Sequence, residues 1–132
     1  MLFGLILTIQ LVHYPSFYWV SKDDFSNFEQ FHSKRISLIV VPLMLVELIV
    51  SFSLLFFAKD ELIISLINLS SVILIWISTF FLSVPCHSTL LIKKDDQVIK
   101  KLIETNWIRT ILWGLRSISL FILIFNKVIR YE

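Results

Sequence analysis

The sequence predicts an all-α protein, a membrane-spanning four-helix bundle forming one integral domain over residues 1–132. Three observations carry that expectation. The chain is 57% hydrophobic and only 17% charged, too few polar residues to clothe a soluble domain of this size. Residues 36–58 hold a single charge, Glu47, and residues 62–92 hold no Asp, Glu, Lys or Arg. The apolar runs are about 20 residues long, enough at ~1.5 Å per residue to cross a ~30 Å hydrocarbon layer. They show no alternation of polarity, and backbone groups in lipid must bond within their own segment, so helices are expected rather than strands.

The first run, 1–20, has no basic leading stretch and no small-residue cleavage site, so it reads as a retained helix and not a signal peptide. The amphipathic stretch "SKDDFSNFEQFHSKR" (21–35) follows. Ser26 and Glu29 have capping-box spacing, so a helix is expected to start near Asn27 and continue into the second span, 35–58. Phe25, Phe28 and Phe31 recur every third residue and are expected at the headgroup level. "KDE" (59–61) is a tight turn before the third span, 62–84. In 93–106, Asp95 or Asp96 is the expected N-cap of a helix that runs into the fourth span, 107–126. Helices two and four therefore extend beyond the bilayer on the same side.

Charge sets the orientation. Lys22, Lys34, Arg35, Lys93, Lys94, Lys100, Lys101 and Arg109 fall on one side, and Lys59, Lys127 and Arg130 on the other. The positive-inside rule then puts both long connections in the cytoplasm and both termini outside it, in a multi-pass protein of a bacterial inner membrane. Trp19 and Trp107 mark the cytoplasmic interface. The expected partners are the lipid bilayer, a small apolar ligand and a second copy of the chain. A net charge of +2 without a basic tract argues against nucleic acid, and the one cysteine, Cys86, excludes an internal disulfide.

The polar residues inside the apolar spans are where function is expected. Depth counted at ~1.5 Å per residue puts His13 roughly 9 Å, Arg116 roughly 13 Å and Glu47 roughly 18 Å below the cytoplasmic interface. His32, His87, Asn106 and Arg109 sit near the boundary, so the ionisable groups cluster in one half and the other half reads as nearly pure hydrocarbon. Asn106, Arg109, Trp113 and Arg116 share one helix face at i, i+3, i+7 and i+10. A charge facing lipid costs ~3 kcal/mol, so that face turns inward. Arg116 then needs an anion, and Glu47 is the acidic residue deep enough to supply one. That pair is either a structural tie between helices or part of a ligand or proton site. The candidate catalytic residues are His13, His87, Arg109 and Arg116, and the candidate substrate-binding residues are His32, Glu47, Asn106, Tyr14 and Trp113. No metal site is expected: HxxxH is absent, and "EQFH" supplies one ExxH where di-iron bundles need two. Haem held between His13 and His87 stays an alternative. Pro15, Pro42 and Pro85 are expected to kink their helices beside this cluster.

"VPCHSTL" after the third span, an amphipathic stretch and then "NWIRT" resemble the small bacterial four-helix membrane proteins of the anthrone-oxygenase-like group. The resemblance spans residues 80–116 and the four-span plan. It carries Pro85, Trp107 and Arg109; His87 stands where that family tends to have Asn. It implies cofactor-free oxygenation of an aromatic substrate. A separate family with the signature "HYP…FH…VP.H…NW.R" is the other reading. Two functions thus stay open: a small membrane oxidoreductase or oxygenase using His13 or His87 as general base, or an accessory or transport subunit whose polar residues fix helix packing.

Overall fold

The computed structural model describes residues 2–131, with side chains through residue 129, so Met1 and the side chain of Arg130 lie outside the described residues. The first rod comprises α1 (Leu2–Thr8), a π turn (Ile9–His13), α2 (Tyr14–Ser16) and a 3₁₀ turn (Phe17–Trp19). The second rod is α3 (Phe25–Phe57). After a 3₁₀ turn at Lys59–Glu61, the third rod comprises α4 (Leu62–Ser78), a π turn (Thr79–Ser83) and α5 (Val84–Ile92). The fourth rod is α6 (Asp96–Tyr131). No strand occurs among the described residues. Three rods, over 25–57, 59–92 and 96–129, are long and apolar enough to cross a membrane. The first is helical over Leu2–Trp19 but broken in its hydrogen bonding.

Both breaks have one cause. Proline lacks an N–H and its ring collides with the carbonyl a turn earlier. Tyr14, just before Pro15, bonds back to Ile9 O, and Val84, just before Pro85, bonds back to Thr79 O. Each is an i→i−5 bond, and the extra residue in the turn gives the proline ring room without ending the rod. The third helical rod accordingly continues to Ile92, past the expected limit of 84, and His87 sits within a helix. Pro42 is carried inside α3 with no such turn.

The helix starts divide. Asp95 is the N-cap of α6: its Oδ1 accepts from the backbone N–H of Gln97 at 2.9 Å and of Val98 at 3.3 Å. The Ser26–Glu29 box does not form. Helix α3 begins at Phe25, Ser26 Oγ donates to Leu91 O at 2.5 Å, and Glu29 is fully buried. The Ser26 hydroxyl thereby ties the start of α3 to the end of α5. Lys94 closes the same end, with Nζ donating to Tyr18 O and Val20 O at 2.7 Å each, the last carbonyls of the first rod. Both connections thus meet at one end of the bundle, where Phe17, Phe25, Leu90, Ile99 and Leu102 make a closed apolar knot. Phe25 is inside that knot and Phe28 leans on Phe17, so of the three phenylalanines expected at a headgroup level only Phe31 is exposed.

Helix α6 is the centre, packed mainly on α4 and also on α1, α2 and α5, while α3 lies against α4 and α5. Gly114 admits the first rod: a Cβ there would stand 3.2 Å from the Phe3 ring. The half away from the connections is not pure hydrocarbon. Ser51 Oγ donates to Asn68 Oδ1 at 2.7 Å, and Asn68 Nδ2 donates to Ser119 Oγ at 3.2 Å, joining α3, α4 and α6. Small hydroxyls let helices approach, and a buried amide must then find partners on its neighbours. Asn68→Ala is expected to cost about 1–2 kcal/mol, read as a lowered unfolding temperature in mild detergent. An unchanged midpoint would show that this three-helix tie contributes nothing.

Candidate functional site

The polar side chains form two clusters, at successive depths along the bundle. The first lies by the connections. Gln10 leaves the first π turn with Nε2 on Ile103 O at 3.1 Å, and its Oε1 accepts from Asn106 Nδ2 at 2.7 Å. Asn106 Oδ1 in turn accepts from Arg109 Nη2. The same Nη2 reaches Tyr14 Oη at 3.2 Å. Tyr14 Oη lies 3.2 Å from His87 Nε2, and His87 Nδ1 lies 2.6 Å from Glu29 Oε1. Ser33 Oγ donates to that same carboxylate oxygen at 2.7 Å. One assignment of protons satisfies the whole run: Arg109 donates to Tyr14, Tyr14 O–H donates to His87 Nε2, and His87 Nδ1–H donates to Glu29. The chain of bonds crosses the first rod, α6, α5 and α3.

Beside it, His13 Nε2 and His32 Nδ1 are 2.7 Å apart. Phe17, fully buried, fills the space between these rings and Tyr14, with centroids 5.4 Å from His13, 5.2 Å from His32 and 5.5 Å from Tyr14. The His32 and His87 rings are 5.6 Å apart. All three histidines therefore converge. His32 Nε2 and Glu29 Oε2 are buried without a hydrogen-bond partner.

The second cluster lies deeper. Arg116 Nη1 donates to Glu47 Oε1 at 2.6 Å, and Trp113 Nε1 donates to Glu47 Oε2 at 2.9 Å. Arg116 Nη2 also reaches Ser51 Oγ at 3.4 Å. Both oxygens of the carboxylate are thus satisfied, as a charge buried in a bundle requires.

Between the clusters lies a cavity of about 170 Å³. Its walls are apolar, with Leu5, Ile6, Ile9, Val40 and Met44 among them; Tyr14, His87 and Arg109 supply polar lining, and Trp76 and Trp113 line it too. Asn106, His13, His32, Glu47 and Arg116 do not line it; Asn106 bonds the lining residue Arg109 and Glu47 the lining residue Trp113. Arg109 Nε, Ser83 Oγ and Trp76 Nε1, all on lining residues, have no partner.

Compared with family models, curated proteins and solved structures, the chain matches none. Its chemistry is read from its own geometry.

No group of three or more His, Cys, Asp or Glu is placed to hold a metal ion among the described residues. The reason is visible in the bonds: His13 and His32 aim at each other and His87 aims at Tyr14 and Glu29, so their nitrogens do not face a common point. Cys86 is buried and unpaired. Glu29 is the residue that sequence reasoning missed. Its i, i+3, i+4 relation to His32 and Ser33 marks an inward face of α3, and the spacing that resembled a cap concealed it. Gln10 is the other addition, made inward-facing by the π turn.

Glu29→Ala is expected to destabilise the protein by about 2–3 kcal/mol, because it leaves His87 Nδ1–H unpaired in the interior. Glu29→Gln keeps an acceptor oxygen at that point and retains most of the stability. Thermal unfolding of both variants in detergent is the check, and equal midpoints would refute the pairing.

Proposed function

We propose that this chain is a four-helix, multi-pass membrane protein that holds a small aromatic molecule in its cavity and exchanges a proton with it. The first rod, 18 residues long over Leu2–Trp19, is roughly 27 Å in length at ~1.5 Å per residue, which nearly spans the hydrocarbon layer. Eight basic residues on the side of the two connections put that end, and the first polar cluster with it, in the cytoplasmic half of a bacterial inner membrane.

One observation carries the reading. An apolar cavity is lined by Tyr14, His87 and Arg109, and the phenol and imidazole are wired to the buried carboxylate of Glu29. An apolar cavity of ~150 Å³ is known to hold a benzene ring, so this one accepts a single ring. Arg109 stands where negative charge on an oxygen would develop, and His87, oriented by Glu29 as an acid–base histidine is by a carboxylate, takes the proton by way of Tyr14. His13 lies off the cavity, which leaves His87 as the favoured base of the two. Such a site suits a membrane oxidoreductase or oxygenase acting on an aromatic substrate. On the resemblance of residues 80–116 to anthrone-oxygenase-like proteins, the reaction is a cofactor-free oxygenation in which molecular oxygen is the oxidant.

The test is binding of 4-iodophenol, whose heavy atom quenches tryptophan, to protein in lipid nanodiscs. Trp76 and Trp113 both line the cavity. Saturable quenching is expected, weakened at least about tenfold by Tyr14→Phe and by His87→Gln while the unfolding temperature stays within a few degrees. Unsaturable quenching, or equal affinity in both variants, would sink the proposal.

A second reading is that the polar groups serve packing alone, in an accessory or transport subunit. The Glu47 carboxylate, with both oxygens taken by Arg116 and Trp113, favours it for the deeper residues, although Arg116 Nε stays without a partner. Arg116→Met is expected to cost about 3–5 kcal/mol by stranding Glu47, and Glu47→Gln combined with Arg116→Met to recover most of it. A double variant that folds as well as wild type but no longer binds 4-iodophenol would instead make the cluster part of the site.

A further inference from the structure

The cavity is not sealed. Val41 on α3, Phe80 in the second π turn and Val84 on α5 all line it, yet they are 44%, 55% and 45% exposed. They mark an opening on the flank of the bundle, between the second and third rods. Its rim is hydrocarbon, flanked on the outside by exposed apolar residues such as Leu38 and Phe81. In a bilayer this opening faces acyl chains, not water.

Just inside stands an unfilled hydrogen-bond group. Hydroxyls along the third rod donate to the carbonyl four residues back: Ser70 to Leu66, Thr79 to Ile75, Ser88 to Val84 and Thr89 to Pro85. Ser65, Ser78 and Ser83 do not, and of these three only Ser83, the last residue of the π turn, lines the cavity. Ser83 is 98% buried, lines the cavity, and its Oγ has no partner. Arg109 Nε is in the same condition on another wall. A ligand that fills the space therefore presents oxygen inside and hydrocarbon at the opening.

We propose that the opening between α3 and the α4–α5 rod is a lateral portal, and that the ligand is a bilayer-dissolved amphiphile. Its oxygen-bearing ring occupies the cavity, with Ser83 and Arg109 donating to the oxygens. Its linear apolar tail passes between Val41 and Val84 into the lipid. This rests on the ring-binding reading above and adds the ligand's class and its route. The cavity has room for one ring, so the tail must lie outside, and the rim residues are the kind a tail would contact.

Displacement of 4-iodophenol from nanodisc-embedded protein separates the two ideas. The competitors are 4-methylphenol, a ring alone, and 4-nonylphenol, a ring with a tail. Val84→Trp and Val41→Trp narrow the opening from its two sides, and Ile39→Trp, an exposed position on the other side of α3 and outside the cavity, is the control. The expected result is that each narrowing variant needs at least about tenfold more 4-nonylphenol for displacement, while 4-methylphenol stays within about twofold of wild type and the control matches wild type for both. Equal displacement by 4-nonylphenol in wild type and both narrowed variants would overturn the portal and leave the ring site standing. Equal loss of both competitors would also overturn it, since the rim would then be part of the ring site. Failure of 4-iodophenol to bind wild type would overturn the ring site and the portal together.

Discussion

The bond between His87 Nδ1 and the buried carboxylate of Glu29 is the contact on which the polar end of this protein depends. It crosses from α5 to α3. A carboxyl group with no exposed surface needs hydrogen-bond partners in an apolar bundle, and His87 and Ser33 supply them. Once the imidazole is fixed by Nδ1, its other nitrogen must face Tyr14. Tyr14 is then held between His87 and Arg109, and Arg109 is held by Asn106 and so by Gln10. Each member of the run is oriented by the next, and the run takes one side chain or more from every rod.

The two polar clusters differ in kind. Around Glu47 both carboxylate oxygens are taken up, and one buried nitrogen, Arg116 Nε, is left without a partner. Around Glu29, the run of bonds ends with an unpartnered oxygen on Glu29 and an unpartnered nitrogen on His32, and it borders a cavity whose wall holds further unpartnered donors. A closed cluster fixes helices in register. An incomplete one beside an empty space is the feature on which the proposal of a bound ring rests.

Much of the helical architecture was legible from the residues, because long apolar runs without alternating polarity leave few alternatives to helices. The turn at 59–61, the Asp95 cap and the Arg116–Glu47 pair follow from burial rules applied one residue at a time, whereas the third rod runs to Ile92, past the expected 84. That polar side chains from all four rods gather was legible; how they are wired was not. His13, His32, His87, Tyr14, Asn106 and Arg109 converge. Which of them face a common cavity depends on the rotation of each rod, and a proline-induced π turn resets that rotation in a way no fixed 100° step anticipates. Glu29 was hidden because a Ser-x-x-Glu spacing at a helix start fits a local cap and a tertiary bond equally well, and the tertiary bond won. The Ser51–Asn68–Ser119 tie was hidden because serine in an apolar run reads as a small filler until its partner on another helix is known.

The paired π turns have a wider consequence. Each adds one residue to a turn, so the stretch before it is rotated by about 100° relative to the stretch after it. The first and third rods therefore behave as two shafts joined by a clutch. On either side of the clutch the sequence keeps its own angular phase, and the lipid-facing stripe of one half can change without turning the residues of the other. Loss of a single residue within 9–13 or 79–83 would re-phase half a rod and swing Tyr14 or His87 away from the bundle axis while leaving hydropathy almost untouched. In this fold the spacing of residues around the two prolines, more than their hydrophobicity, keeps the phenol and the imidazole in line.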